Sequence, residues 1–300
     1  MLRIFSFTIT FSPGDELIVS ALDHEANIAP WVDLAERQNL VLKWWPSAER
    51  TTRPKLTPEN LAPLLSDRTR LVALTHASNV LGTVHDVRAI AAAARRRAPA
   101  ALVCVDGVAY APHRPIDVRA LDVDLYAFSW YKVYGPHAAQ LYASPRARDA
   151  ARPLGHFFNP TATLENKMAL AASTYELVAA LPAAVSYLRG RWGAIAAHEA
   201  RLQGLLLEYL NGREDVTVYG ETSADNAVRV PTISFTVKGW SSRELVEAVE
   251  KVTLKFGFRW GLFYSVRLKE YLGLEQDGVV RVSMVHYNTG KSNTGGGCEV

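Results

Sequence analysis

The chain has 300 residues, of which 49% are hydrophobic and 21% charged, a composition typical of a globular protein with room for two domains. Its net charge of +3 is too small to predict a nucleic-acid partner, and no apolar run is long enough to cross a membrane. Two cysteines, Cys104 and Cys298, do not make a disulfide framework, so the sequence favours a reduced, cytoplasmic location.

The first half of the chain alternates short apolar runs with helical segments. Each apolar run is continuous, which predicts a strand that is buried on both faces. These predicted strands are 16–19, 41–45, 70–75, 102–105 and 125–128. Helices are predicted over 27–37 and 87–97, and Thr57 followed by Pro58 predicts the first turn of another. The alternation predicts an α/β fold with a mostly parallel sheet covered on both faces.

The pattern changes after residue 170. A long helical run is predicted at 171–210, with breaks near Pro182 and Gly190, and Asn211-Gly212 is typical of a helix C-cap. A smaller α+β domain is then predicted, with strands at 216–219, 229–237, 254–258 and 279–284 and helices at 243–251 and 262–272. Pro231 indicates that its strand begins late or lies at an edge. We therefore expect a large domain at 1–170, a small domain at 171–288 and a disordered tail at 289–300.

Polar residues follow several predicted strands of the large domain. They are His24, Asn79, Asp106, Ser129 and Lys132. Ligands of open parallel sheets bind outside the carboxyl ends of the strands, so these residues predict one crevice. Together they supply what pyridoxal 5′-phosphate (PLP) requires, and no metal site is predicted.

Each of these side chains has a possible role toward PLP. Lys132 can form an imine with the cofactor aldehyde if burial favours its neutral amine. Asp106 can keep the pyridine nitrogen protonated, so that the ring acts as an electron sink. His24 can stack on the ring, Asn79 can hydrogen-bond the phenolic oxygen, and Ser129 can bind the phosphate. Singly, each residue also fits a solvated or turn position, and the prediction depends on their joint order at the strand ends.

Several segments resemble class V aminotransferases, which are fold type I PLP-dependent enzymes, and in particular their cysteine desulfurase-like branch. The matching segments are DHEAN at 23–27, PW at 30–31, SNVLGT at 78–83, VDG at 105–107, FSWYKVYGP at 128–136, VRVS at 280–283 and YNT at 287–289. The resemblance implies a Schiff base on Lys132 and the roles given above. Tyr131 replaces the His that desulfurases usually have before the lysine, and it can still donate to the phosphate. It implies that Arg281 holds the substrate carboxylate, which suits a planar guanidinium, and that the protein is a homodimer.

The chain also departs from the family pattern. Desulfurases carry a reactive loop cysteine a few residues after the position of Arg259, but 259–265 reads RWGLFYS. Ala109 replaces a glutamine, and Ala171-Ala172 replace a Gly-Thr that reaches the partner's phosphate. The family's Gly/Thr-rich phosphate loop precedes the turn at Pro13 and has no match here, so a truncated or mis-spliced chain is expected.

The predicted function is a PLP-dependent reaction of an α-amino acid that begins with loss of the Cα proton. Transamination, racemisation and β-elimination remain open because they share these residues. The aromatic side chains of Trp260, Phe263 and Tyr264 are expected either at the site entrance or in the core. The alternative is a catalytically impaired fragment that acts only as a dimerising or binding protein. A nicotinamide-dependent dehydrogenase is not predicted, since no G-x-G-x-x-G follows the first strand.

Overall fold

A computed structural model describes residues 1–47, 50–158, 161–168, 174–252 and 257–289. Its strands are β1 (Glu16–Ser20), β2 (Val41–Trp45), β3 (Thr69–Thr75), β4 (Leu102–Asp106), β5 (Leu125–Ser129), β6 (Ala139–Ala143), β7 (Val216–Tyr219), β8 (Thr232–Val237), β9 (Arg259–Gly261) and β10 (Val279–Ser283). Its helices are α1 (Leu2–Thr8), α2 (Ala29–Gln38), α3 (Pro58–Leu61), α4 (Val87–Arg97), α5 (Pro145–Ala150), α6 (Leu164–Lys167), α7 (Tyr175–Leu188), α8 (Trp192–Asn211), α9 (Ser242–Val252) and α10 (Val266–Leu272).

The described strands form two sheets. The first has the order β2-β1-β3-β4-β5-β6 and is parallel except for β6, which pairs antiparallel with β5. The second has the order β7-β8-β10-β9 and its named pairs are antiparallel. The predicted α/β class and the mostly parallel sheet are therefore confirmed, whereas the domain limits at 1–170 and 171–288 stay a prediction.

The first sheet is buried because its apolar strands pack on helices from both faces. Leu17 and Val19 of β1 belong to a core with α1 and α2, while Ile18 between them belongs to a core with α4. The strand β2 corrects the expectation of burial on both faces. It lies at the edge of the sheet, with Val41 and Trp44 exposed, because it has a strand neighbour on one side only.

Helix signals were accurate where capping chemistry is local. Thr57 and Asn60 form a capping box at the start of α3, and α4 has the predicted limits. Pro182 does not break its helix, since α7 continues through it. The break comes at Gly190, whose φ is 75°. The helix α8 ends at Asn211 as predicted, although Gly212 does not adopt the left-handed conformation.

Three expectations for the second half need correction or fall outside the described residues. The strand predicted at 254–258 lies partly in the undescribed 253–256, and the strand that the structure shows is β9. The helix predicted at 262–272 begins only at Val266, because Phe263 and Tyr264 adopt positive φ. Residues 171–172 and 290–300, including Cys298, are not described. None of the described helices combines the length and hydropathy needed to cross a membrane.

Candidate active site

The carboxyl-terminal ends of the parallel strands all lie on one side of the six-stranded sheet. We call this side the carboxyl-terminal edge. There β3 ends at Thr75 and β4 ends at Asp106, which are paired in register, and Asp106 lies opposite Ala127 of β5. The strand β5 ends at Ser129, and the 3-10 turn after it ends at Lys132. Asp106, Ser129 and Lys132 therefore lie at this edge, and their roles toward a cofactor stay predictions.

Asp106 is buried at this edge, with 8% of its surface exposed. Its carboxylate Oδ1 accepts a hydrogen bond from the backbone N–H of Val108 at 2.8 Å. Glycine is required at position 107, because a Cβ there would overlap the ring of Tyr126. Burial raises the pKa of Asp106, whereas the Val108 N–H and the charge of Lys132 lower it. A positive group placed against this carboxylate would therefore keep it ionised.

Lys132 is exposed, whereas the sequence led us to expect a buried amine. The 3-10 turn Trp130–Lys132 buries Trp130 instead, and its indole N–H donates to Oε1 of Gln140 at 3.1 Å. The reason is that a large aromatic ring gains more from burial than an amine, which loses hydration. Lys132 nevertheless lies near enough to lower the pKa of both His24 and Asp106. The correction concerns its burial, and its place at the edge is as expected.

His24 is half-buried and its ring is held in place on one side. Its Nδ1 accepts a hydrogen bond from the backbone N–H of Ala26 at 3.0 Å, so the neutral ring carries its proton on Nε2. Burial lowers the pKa of His24, and the charges of Lys132 and Arg281 lower it further. The ring stacks on that of Tyr264, with centroids 5.3 Å apart and planes 28° apart. His24 is therefore a neutral, oriented imidazole.

Arg281 and Asn79 are in direct contact. Arg281 lies on β10, and its Nη1 donates to the backbone oxygen of Asn79 at 2.9 Å. Its guanidinium carbon lies 3.8 Å from the ring centroid of Phe263. Burial lowers the pKa of Arg281 to about 10, and Arg259 adds to this effect. Its Nε is buried and has no hydrogen-bond partner among the described residues.

A cavity of about 310 Å³ lies between the sheet edge and α1. Asp106 and Ser129 line it together, and so does Arg3 of α1, a cation that the sequence analysis did not identify. Tyr131, predicted as a further phosphate donor, stacks on His137 with ring centroids 5.3 Å apart. The structure therefore brings Ser129 to the side of Asp106, and the phosphate roles of both Ser129 and Tyr131 stay predictions.

Asp23 is a buried acid that the sequence analysis passed over. Only 1% of its surface is exposed, and its Oδ2 accepts a hydrogen bond from Nδ2 of Asn27 at 2.7 Å. Its Oδ1 is buried without a hydrogen-bond partner among the described residues. Burial raises the pKa of Asp23 to about 7, and the charge of Asp106 also raises it. Its place directly before His24, after an apolar strand, was the available signal.

PLP fits the groups gathered at this edge. The buried carboxylate of Asp106 suits a protonated pyridine nitrogen, and the accessible amine of Lys132 suits an aldehyde. Ser129 and Arg3 offer a hydroxyl and a cation for a phosphate. The unpaired Nε of Arg281 offers a further donor for a carboxylate.

Comparisons with known proteins agree on one family. The aminotransferase class-V model matches residues 3–292. The chain is 53% identical over 292 residues to the aminotransferase-like protein FGM3 of Gibberella zeae, covering 96% of this chain and 72% of that protein. It is 40% identical over 286 residues to the cysteine desulfurase-like protein ustD of Aspergillus flavus, covering 91% of this chain and 64% of that protein.

A solved structure gives the same fold. The apo cysteine desulfurase of Thermococcus onnurineus matches with a TM-score of 0.84 at 23% sequence identity, over 97% of this chain and 73% of that one. The fold is therefore fold type I of the PLP-dependent enzymes, as expected from the resemblance. The family model and the relatives described above show that the chain belongs to the class V aminotransferases, a family that depends on PLP.

Proposed function

We propose that this chain is a PLP-dependent enzyme that acts on an α-amino acid, with Lys132 as the residue that bonds to the cofactor aldehyde. The observation that carries the proposal is the position of Asp106 and Lys132 at the same edge of the sheet. There the charge of Lys132 lowers the pKa of the buried Asp106 carboxyl. A carboxylate and an amine so placed match the two polar ends of a pyridine aldehyde. Membership of the family supports the same assignment.

The other edge residues have proposed roles that follow from their hydrogen-bonding capacity. Asp106 holds a proton on the pyridine nitrogen, and His24 stacks on the ring with its neutral imidazole. Asn79 uses one amide hydrogen for the backbone oxygen of Phe263 at 2.9 Å, which leaves the other for the phenolic oxygen. Ser129 binds the phosphate.

Arg281 is the proposed anchor for the substrate carboxylate. Its Nη1 is fixed by Asn79 and its flat face by Phe263, so the fork is oriented before any substrate binds. The free Nε and the neighbouring Nη2 can then bind a carboxylate in a bidentate manner. Binding would also supply the hydrogen bond that the buried Nε lacks.

The proposed chemistry starts at the α-carbon of the amino acid. When bound, PLP withdraws electrons from that carbon. Once the substrate amine has displaced Lys132 from the aldehyde carbon, Nζ of Lys132 would be free to take the α-proton as a base and to return a proton as an acid. Protonation of the cofactor carbon would give transamination, which we propose first. Protonation of the α-carbon on its other face would give racemisation. A β-elimination uses the same residues.

Sulfur transfer from cysteine is not part of the proposal. It requires an accessible thiolate, and 259–265 supplies no cysteine. Cys104, the free cysteine among the described residues, is buried in β4, and burial raises the pKa of its thiol well above the usual range. We also propose a homodimer, by analogy with fold type I enzymes. The non-catalytic dimerising protein considered from the sequence is not favoured, because the chain matches enzyme-like relatives over most of its length.

The test is the visible absorbance of the purified chain after addition of PLP. We expect a visible band in the natural protein and its loss in Lys132→Ala, because an amine is needed to bond to the aldehyde. Lys238→Ala is the matched control, since Lys238 is exposed in the turn after β8 and far along the chain from the site. The Lys132 variant should also lose activity by about 10²–10⁴-fold.

The outcomes separate the possibilities. A band that disappears only in Lys132→Ala supports the proposal. A folded natural protein without a band would overturn it. A band that both lysine variants retain would show that another lysine holds the cofactor.

A further inference from the structure

The turn formed by Phe263 and Tyr264 links the second half of the chain to the sheet edge. Both residues adopt left-handed φ, 52° and 58°, although neither is glycine. Three hydrogen bonds fix the turn against the first half. Asn79 Nδ2 donates to the Phe263 oxygen at 2.9 Å, Ser265 Oγ donates to Asn79 Oδ1 at 3.2 Å, and the Glu25 N–H donates to the Tyr264 oxygen at 2.9 Å. The unusual backbone is therefore imposed by long-range contacts.

The two side chains of the turn meet two different residues of the site. The ring of Phe263 lies under the guanidinium of Arg281, and the ring of Tyr264 lies on His24. Tyr264 is 74% exposed, so its ring is not held there by a surrounding core. Its contact with His24 is therefore a consequence of the fixed turn.

An imidazole has two faces, and Tyr264 covers one of them. The Ala26 N–H fixes the edge of the His24 ring through Nδ1. If His24 stacks on the cofactor, as proposed above, the cofactor must take the face opposite Tyr264. His24 would then lie between two flat rings, and the Tyr264 ring would set its tilt.

An ion pair also links the segment that carries His24 to the segment that carries Tyr264. Glu25, the neighbour of His24, pairs with Arg267 of α10, three residues after Tyr264. The guanidinium of Arg267 also packs on Trp44 of β2, 4.4 Å from its ring centroid. This Glu25–Arg267 pair, the latch, holds α10 and the turn before it against the segment that carries His24.

We propose that Tyr264 is a positioning residue for His24, and that the latch holds Tyr264 in place. The inference rests on the proposed function, since it assigns the face of His24 opposite Tyr264 to the cofactor. Tyr264 acts through its ring and not through its hydroxyl. Its phenol therefore needs no proton transfer and no bond to the substrate.

The first measurement uses the cofactor-free protein, so that it does not depend on PLP binding. NMR titration of the His24 ring should show its pKa rising toward the usual value in Tyr264→Ala, because removal of the ring relieves burial. Lys132 and Arg281 face His24, and Glu25 and Arg267 lie beside it, but all four are retained in this variant. Tyr264→Phe should titrate as the natural protein does.

The second measurement is the dissociation constant of PLP, followed by its visible absorbance. We expect Tyr264→Ala to weaken binding about tenfold and Tyr264→Phe to change it less than about twofold. Tyr264→Leu is a second variant that fills part of the space and should fall between them. Tyr209→Ala is the control, because Tyr209 is an exposed tyrosine on α8.

A third measurement tests the latch. Glu25→Gln should weaken PLP binding about threefold, whereas Glu247→Gln, which breaks the exposed Arg243–Glu247 pair on α9, should have no effect. The double variant Tyr264→Ala/Glu25→Gln should bind PLP as Tyr264→Ala does, because the latch acts through the ring. Effects that multiply would overturn the latch.

The outcomes distinguish this inference from the proposed function. If the natural protein binds PLP and Tyr264→Ala binds it equally well with an unchanged His24 titration, the positioning role is wrong and the proposed function stands. If no form binds PLP, the proposed function fails, and an unchanged His24 titration in Tyr264→Ala would then also rule out the contact between the two rings. Loss of binding in Tyr264→Phe equal to that in Tyr264→Ala would contradict a role for the ring.

Discussion

Buried aspartates have different numbers of hydrogen-bond and ion-pair partners at the amino-terminal and carboxyl-terminal edges of the six-stranded sheet. At the amino-terminal edge, Asp124 accepts hydrogen bonds from the Val103 N–H at 2.9 Å and the Ser144 hydroxyl at 2.8 Å. It also pairs with Arg95, whose Nη2 lies 2.8 Å from Oδ2. Both carboxylate oxygens of Asp124 are therefore occupied by partners from three different elements.

At the carboxyl-terminal edge the aspartates have fewer partners. Asp106 accepts from the Val108 N–H, and Asp23 accepts from Asn27 with one oxygen while its Oδ1 has no partner among the described residues. Burial raises the pKa of both, and the charge of Asp106 raises the pKa of Asp23 further. A buried acid with unused capacity lowers stability and is typical of a ligand site, whereas a satisfied one supports the fold.

The largest expected effect is a loss of activity in Asp106→Asn. An amide has nearly the same shape, but it cannot hold a proton on the pyridine nitrogen. We expect the single-turnover reaction of the PLP-loaded protein with an excess of amino acid to slow by about 10²–10³-fold, as followed by absorbance. The free energy of unfolding should change little, because Asp106 supports few partners.

Asp124→Asn is the matched control at the other edge. It should lower the free energy of unfolding by about 3 kcal/mol, because Arg95 loses its buried partner. The reaction rate of the folded fraction should stay the same. Equal rate losses in the two variants would contradict the distinction between the edges.

The next effect is a change in the pH dependence of stability in Asp23→Asn. A carboxyl whose pKa rises from 3.8 to about 7 on folding contributes stability below the unfolded value and loses it as the pH rises toward 7. Between pH 5 and pH 8 this loss is about 3 kcal/mol in the natural protein and absent from the variant. Urea unfolding at the two pH values measures it.

Two buried histidines change the stability with pH in the direction opposite to Asp23. Their contribution must be separated from that of Asp23. Burial lowers the pKa of His76 and of His85 to about 3, so stability falls as the pH drops below their usual value. Both remain in Asp23→Asn, and the difference between natural protein and variant removes their contribution. A difference that does not change with pH would show that Asp23 titrates normally.

The position of several residues at the carboxyl-terminal edge could be predicted because it depends on short sequence patterns. A continuous apolar run predicts a strand, and a parallel sheet brings the residues after each strand to one edge. Asp106, Ser129 and Lys132 were placed in this way. Thr57 and Asn60 illustrate the same point for a helix start, since the cap contacts lie within three residues.

The features that escaped prediction depend on contacts between distant segments. The exposure of Lys132 follows from the burial of Trp130, and local sequence cannot decide which of the two side chains is buried. The left-handed turn at Phe263 was read as helix because its hydrogen bonds reach Asn79 and Glu25, far away in the chain. The edge position of β2 likewise depends on the order of strands.

The smallest expected effect concerns backbone strain at the carboxyl-terminal edge. Tyr264→Gly and Tyr264→Ala both remove the ring, so a difference between them reports the backbone alone. Glycine adopts a φ of 58° freely, whereas alanine does not, and the glycine variant should be more stable by about 1 kcal/mol.

The same two substitutions at Tyr209 should give the opposite order. Tyr209 lies within α8, where glycine is less stable than alanine by about 1 kcal/mol. Urea unfolding of the four variants therefore tests for a reversal of sign as well as a small difference. The same order at both positions would mean that Tyr264 is not left-handed in solution. The backbone of the turn would then be unstrained. The buried aspartates alone would account for the lower stability that we assign to the carboxyl-terminal edge.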